Sequence, residues 1–238
     1  MAAAGLAEYE QAKTRGQRLE IVRSRNGLPS AKAVNRIVDA NRAFTARTAH
    51  DEKNLYIAYD VTSPVGLVNE INDPHLIFKG GNLLDIQFAA DPQADPNRKT
   101  PAPGDARILV TRQKEKPVAV VFRPKVKDFK GKPIVLTSGT GKEPFDAIET
   151  TDRIGLEYTA RNGGFNAVVT IPLDFIGWTP KPGATVKMDV GYIFGNATGT
   201  QTSVRAYWSN NGFSANIVAD VPNESRLEPK EWGAATVE

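Results

Sequence analysis

The chain has 238 residues, with 30 Lys and Arg against 27 Asp and Glu, two His and no Cys. That length fits one large β domain or two small ones, and the lack of Cys excludes disulfide scaffolds, thiolate zinc sites and thiol catalysis. The net charge of +3 is spread over interspersed signs, which is a solvated surface and not the concentrated basic face of a nucleic-acid binder. No run of about 18 apolar residues marks a membrane helix. Twenty Gly and sixteen Pro break the chain into short pieces, which favours many strands over long helices.

The opening Met1-Ala2-Ala3-Ala4 lacks the basic and long apolar regions of a signal peptide. Residues 5–14 carry Leu6, Tyr9 and Ala12 at helical spacing and predict a short helix that Gly16 can end. Residues 18–23 alternate and predict a first strand. Asn26-Gly27 is a turn signal. Residues 30–40 suit either a helical turn (Val34, Ile37, Val38) or a loop between short strands. Residues 43–49, the polar turn at 51–53 and residues 54–62 predict a hairpin. Within it Leu55, Ile57, Tyr59 and Val61 face one way and Tyr56, Ala58 and Asp60 the other.

Residues 83–91 repeat the pattern, with Leu84, Ile86, Phe88 and Ala90 opposite Asp85, Gln87 and Asp91. The Pro- and Asp-rich stretch 92–104 predicts a surface loop. Strands are expected at 105–112 and 117–123, around a turn at 113–116. Residues 126–143, rich in Lys, Gly and Pro, predict a loop with one short strand at 134–136. A hairpin is expected from 152–158 and 164–171, then a helical turn at 172–178 with Pro172 leading it. Residues 185–195 predict a strand with Val186, Met188, Val190, Tyr192 and Phe194 inward. A turn at 196–200, a strand at 201–209, a polar loop at 210–226 and a closing strand at 233–238 complete the chain. Short strands at regular spacing, with no internal repeat, predict an all-β, jelly-roll or immunoglobulin-like antiparallel sandwich. Residues 1–16 read as a helical appendage and 17–238 as a single domain.

Motifs of catalysis are scarce. No G-x-S-x-G, H-E-x-x-H or P-loop occurs, and Ser138-Gly139-Thr140-Gly141-Lys142 lacks the glycine spacing and the helix that a phosphate loop needs. His50 and His75 lie near Asp51 and Asp73, without a marked nucleophile. Asp85, Glu149, Asp174 and Asp189 are carboxylates by type only. The oxygens of Asp91, Asp95 and Asp105 around one loop could hold a structural calcium ion; no other cofactor is expected. The sharper feature is a polar row on successive strands. If they pair in sequence order, Asp85, Gln87, Arg107 and Arg123 share one sheet face. Arg and amide side chains in such a row suit either sugar hydroxyls or a cross-strand ion pair. Among the aromatics, Trp178 and Trp232 fit core positions, while Tyr207 and Trp208 close a strand just before Asn210.

The succession NLYIAYDV, NLLDIQFAAD, GDARILV, FNAVVTIPLDFIGW, VRAYWSNN and RLEPKEWGAATVE resembles the family 9-like carbohydrate-binding modules, within the wider DOMON-type β-sandwich superfamily. The resemblance runs from about Ala43 to the C-terminus. It implies a non-catalytic, exported module, tethered to other domains and binding carbohydrate. It sets Asp85 and Arg107 where the family's sheet acid and Arg lie, and Trp208 where the family has a buried strand residue; Gln87, Arg123, Tyr207, Trp208 and Asn210 complete the candidate ligand-binding residues. Loops 69–81 and 210–220 complete the implied site. The family's pair of clamping Trp residues is not matched: Phe78-Lys79-Gly80-Gly81 and Phe213 stand there instead. The superfamily's haem-binding branch implies an alternative with Met188, His50, His75 and Lys79 as the available axial ligands. A ligand-free structural domain of a larger surface protein is the remaining alternative. Neither nucleic-acid binding nor membrane insertion is expected.

Overall fold

The computed structural model describes residues 33–238 in full, the backbone of Leu19–Arg23, and the helical residues Ala7 and Tyr9 to Gln11. The rest of the expected 5–14 helix and the Asn26-Gly27 turn lie outside the described residues. Two antiparallel sheets face each other. The larger runs β1(Leu19–Arg23), β15(Gly233–Val237), β13(Thr185–Gly195), β5(Leu83–Ala89), β6(Asp105–Gln113), β7(Lys116–Arg123), β10(Ala147–Thr151), and β14(Thr202–Tyr207) pairs with the far half of β13. The smaller runs β11(Gly155–Arg161), β12(Gly164–Pro172), β4(Asn54–Thr62), β3(Arg42–His50), β2(Val34–Asp39). No helix among the described residues is long and apolar enough to cross a membrane.

Period-two alternation builds the core. Leu55, Ile57, Tyr59 and Val61 of β4 point across to Leu84, Ile86 and Phe88 of β5 and to Met188, Val190, Tyr192 and Phe194 of β13, all buried in one apolar cluster. The expected β3–β4 hairpin forms, with Ala43 opposite Thr62 and His50 opposite Leu55. Residues 30–40 resolve as a strand: Val34–Asp39 pairs with β3 and buries Val34 against the core. Tyr9 is buried against Ala49, Tyr56 and Val168, on the outer side of the smaller sheet.

The outer side of the larger sheet departs from the sequence expectation. Residues 126–143 were expected to hold one short strand. They instead enter a hairpin of β8(Ile134–Ser138) and β9(Gly141–Phe145). Leu136 and Phe145 of this hairpin join Leu109, Val120, Phe122 and Trp232 in a second apolar cluster. A 3-10 turn at Pro74–Lys79, the short helix α2(Val221–Ser225) and a 3-10 turn at Pro229–Glu231 lie in the same outer layer; α1 is the turn Leu173–Ile176 after β12. The molecule therefore has three layers and two cores. The expected polar loop 210–226, with a 3-10 turn at Phe213–Ala215, continues to Trp232 as one strap that crosses the outer sheet face and is pinned at both ends.

Candidate functional site

The outer row of β5 and β6 carries the residues on which the sequence reading converged. β5, β6 and β7 pair in sequence order, with Asp85 opposite Leu109 and Gln87 opposite Arg107. Asp85 is 0% exposed and Arg107 1%. The Arg107 Nε donates to both Asp85 carboxylate oxygens at 3.1 Å, and its Nη2 donates to Oδ2 at 2.6 Å. The Tyr207 hydroxyl donates to the same Oδ2 at 2.6 Å and accepts from Arg107 Nη2 at 3.2 Å. Burial works against the Arg107 charge, but the Asp85 carboxylate more than restores it and raises its pKa. Burial and then the same carboxylate push the Tyr207 phenol well above its ordinary range.

The strap closes over this pair. Arg107 Nη1 donates to the Glu224 carbonyl at 2.7 Å. Beside it Arg205, also buried, donates to Glu224 Oε2 at 2.6 Å and to the Glu224 carbonyl at 3.0 Å. Lys79 donates to Glu224 Oε1 at 2.7 Å. Burial lowers the Arg205 pKa, and Glu224 supplies the compensating charge. Gln87 accepts from Trp232 Nε1 at 2.7 Å, which ties the far end of the strap to the same face.

Asp189, on β13 opposite Gln87, anchors the near end. It has 0% exposure and accepts from the backbone N–H of Val190 at 2.8 Å, Ser209 at 3.1 Å and Asn210 at 2.6 Å. Burial pushes its pKa up to about 7 against the three amide donors that favour the ionised form.

The seven residues singled out from sequence thus separate. Asp85, Arg107 and Tyr207 form one hydrogen-bonded unit, with Gln87 beside it. Asn210 begins the strap, its amide oxygen accepting from Gly212 N and its amide nitrogen donating to Ser214 Oγ. Trp208 alternates inward and lies in the inter-sheet core. Arg123 does not share the face: on β7 it is Val120 and Phe122 that join the outer cluster. Arg123 instead reaches Glu149 at 3.2 Å and the Phe175 carbonyl at 2.9 Å. Arg205 and Glu224 were missed. Arg205 stands two residues before Tyr207, so the same alternation could have found it. Glu224 carried no signal, because only the fold brings it over the sheet.

Two other expectations meet defined surroundings. Met188 lies in the inter-sheet core while Lys79 reaches Glu224 over the outer face, so these two form no axial pair for haem. Asp105 accepts from the Arg98 guanidinium, and Asp91 and Asp95 accept from the N–H groups of Gln93 and Asn97. Among the described residues no group of three His, Cys, Asp or Glu could hold a metal ion.

What remains accessible lies above the closed face. The Arg205 guanidinium also donates to the Phe78 carbonyl at 3.1 Å and the Ser214 carbonyl at 3.2 Å. One side chain therefore ties the two loops 69–81 and 210–220 together. Phe213 is 51% exposed. Asn211 and Asn216 are exposed on the same short loop.

No family model matches the chain, and no curated protein matches it. Among solved structures it is similar to a carbohydrate-binding module of family 9 from Caldicellulosiruptor kristjanssonii in complex with cellotriose. The TM-score is 0.52 at 12% identity, over 84% of this chain and 78% of that one. A module of the same family and organism in complex with glucose aligns at a TM-score of 0.48 and 11% identity, over 85% and 80%. A protein of Bacteroides uniformis assigned as carbohydrate-binding aligns at 0.47 and 12%, over 98% and 92%. The chain thus shares the antiparallel sandwich fold of a family 9 carbohydrate-binding module, with its own acid–Arg pair on the outer face of β5 and β6.

Proposed function

We propose that the chain is a non-catalytic carbohydrate-binding module of an exported or cell-surface protein, and that it takes glycan where loops 69–81 and 210–220 meet. The fold it shares with a module solved in complex with cellotriose supports the class, although fold by itself does not assign a ligand. The observation that carries the reading is the half-exposed Phe213 ring, on a loop that Arg205 ties to loop 69–81 through the Ser214 and Phe78 carbonyls. An exposed ring held by its loop offers an apolar face to the C–H side of a pyranose, and the nearby amides offer donors and acceptors to its hydroxyls. Asp85, Arg107 and Tyr207 serve this site from below, as the frame on which the strap rests, and do not touch the sugar.

Calorimetric titration against a panel of soluble oligosaccharides, cello-oligosaccharides included, tests the reading. At least one sugar binds saturably. Phe213→Ala weakens that binding by about tenfold or more, roughly 1.4 kcal/mol, and Phe213→Trp retains it. A panel without a binder removes the reading. It would leave the second one, a ligand-free structural domain. One specific observation favours that second reading: the polar face that the resemblance assigns to sugar is covered by the chain itself, and Asp85, Arg107 and Tyr207 all find partners within it.

A further inference from the structure

A second cavity is remote from the loop junction. It is a cleft of about 770 Å³ between loop 91–98, loop 177–187 and β15, within the roughly 300–1,000 Å³ range of small-ligand sites. Both walls are fixed by hydrogen bonds. On one side Arg98 donates to the Asp105 carboxylate and to the Asp95 carbonyl, and Asp91 accepts from Gln93 N. On the other, Gly177 takes a left-handed conformation (φ 67°) that ends α1, and Trp178 N donates to Leu173 O at 3.0 Å. Gly183 N and Val237 O, then Val237 N and Ala184 O, bond at 2.8 and 2.9 Å. Such a cleft needs little ordering when it is filled.

Its chemistry is two-sided. Ala89, Ala90, Val186, Val237 and Trp178, which is itself 7% exposed, give an apolar lining. The charged side chains at its edge are Lys181, Lys187 and Arg98 against Asp91. Arg98 is committed to Asp105, and Lys187 donates to the Trp232 carbonyl. Lys181 is exposed at the mouth. With Arg98 neutralised by Asp105, Lys181 and Lys187 stand against Asp91, and this excess of one positive charge selects an anion, while the lining selects a body with an apolar face.

We propose that this cleft is a second binding site, for short acidic oligosaccharides, with the uronate carboxylate at Lys181 and the C–H face of a sugar ring against Trp178 and the small apolar lining. The proposal rests on the carbohydrate reading above but uses none of its residues. It differs from the loop junction in charge as well as in place, so the two sites would take different glycans on one module.

The test is calorimetric titration of the intact chain with trigalacturonate and with cellotriose, at low and at moderate salt. The acidic trimer binds the wild type more tightly than the neutral one, and less tightly as salt rises. Lys181→Ala weakens the acidic trimer by about tenfold, the scale of one charge-assisted hydrogen bond. Thr179→Trp, at an exposed position of the rim, also weakens it, and Phe213→Ala leaves it unchanged. The proposal is overturned if the acidic trimer binds no better than cellotriose, or if both cleft variants bind it like the wild type. Acidic-trimer binding lost in Phe213→Ala but kept in Lys181→Ala would retain the carbohydrate reading and remove the cleft. No binding of any glycan would remove both.

Discussion

Removing the Asp85 carboxylate tests whether the outer sheet face is a closed core or an open site. In the wild type Asp85 takes three close N–H···O contacts from Arg107 and the hydroxyl of Tyr207. In Asp85→Ala the guanidinium stays at about 1% exposure with the Glu224 carbonyl as its best partner. Breaking one side of a buried pair costs about 3–5 kcal/mol, because the remaining charge is stranded. We expect a loss of about 4 kcal/mol, hence a fall in Tm of roughly 8–16 °C at ~2–4 °C per kcal/mol for a chain of this size. Asp85→Leu combined with Arg107→Met should recover most of that loss, since a packed apolar pair replaces the ions at little net cost. Urea unfolding of the three proteins measures it. A loss below about 1 kcal/mol in Asp85→Ala would mean a water-accessible pair, as on an exposed surface, and would refute the closed-face description. The same reasoning shows that Asp85→Ala is a poor probe of sugar binding, because lost binding and lost folding would coincide.

Further outcomes follow from neighbouring groups. Asp189 has its pKa raised from 3.8 in the unfolded chain to about 7 when folded. The folded state then holds the proton more tightly, so the wild type loses stability as pH rises between about 4 and 7 and is level above that; Asp189→Asn should remove this slope from urea unfolding measured across that range. A Cβ on Gly191 would overlap the Tyr207 ring, so Gly191→Ala should cost roughly 1–3 kcal/mol by overpacking and shift the tyrosine fluorescence or NMR signals of Tyr207. Glu224→Ala leaves buried Arg205 without its carboxylate and should destabilise by about 3–5 kcal/mol, whereas Glu224→Gln keeps part of the hydrogen bonding and should cost less. The Asp220 carboxylate accepts from the hydroxyls of Ser138 and Thr140 and so pins the strap to the β8–β9 turn; Asp220→Ala should speed proteolysis within 210–220 before it affects the sandwich.

The sandwich was legible because its signal is local. Alternation in residues 54–62, 83–90 and 185–195 named the inward side chains, and those side chains form the inter-sheet core. The same rule put Arg107 and Asp85 on a shared face, which the register confirms. It failed for Arg123, where the sequence offered no register across the β6–β7 turn and the residue was assigned by its type. The hairpin in 126–145 was hidden for another reason. Its inward residues Leu136 and Phe145 are separated by Ser138, Gly139, Thr140, Gly141 and Lys142, which read as loop, and their partners Leu109, Val120 and Phe122 lie on other strands. The polar row itself could be assigned as polar but not as solvated or buried. That distinction depends on what lies above it, and the covering segments come from residues 74–79, 134–145 and 221–232.

The covering layer also explains why polar residues occupy a second core. An apolar row at Asp85, Arg107, Arg205 and Tyr207 could bury itself just as well. It could not fix where an irregular strap lies, since apolar contact is non-directional. The strap has only one five-residue helix and two three-residue 3-10 turns, so few of its backbone groups satisfy each other. The guanidiniums of Arg107 and Arg205 take up the carbonyls of Ser214 and Glu224, and Asp189 takes up the N–H groups of Ser209 and Asn210. Arg107, Arg205 and Asp189 thus answer backbone groups that would otherwise be buried without partners, and Asp85 holds Arg107 in place to do so. By that route the acid–Arg pair still bears on what the surface presents: it holds the strap, and the strap carries Phe213, the ring of the proposed sugar site.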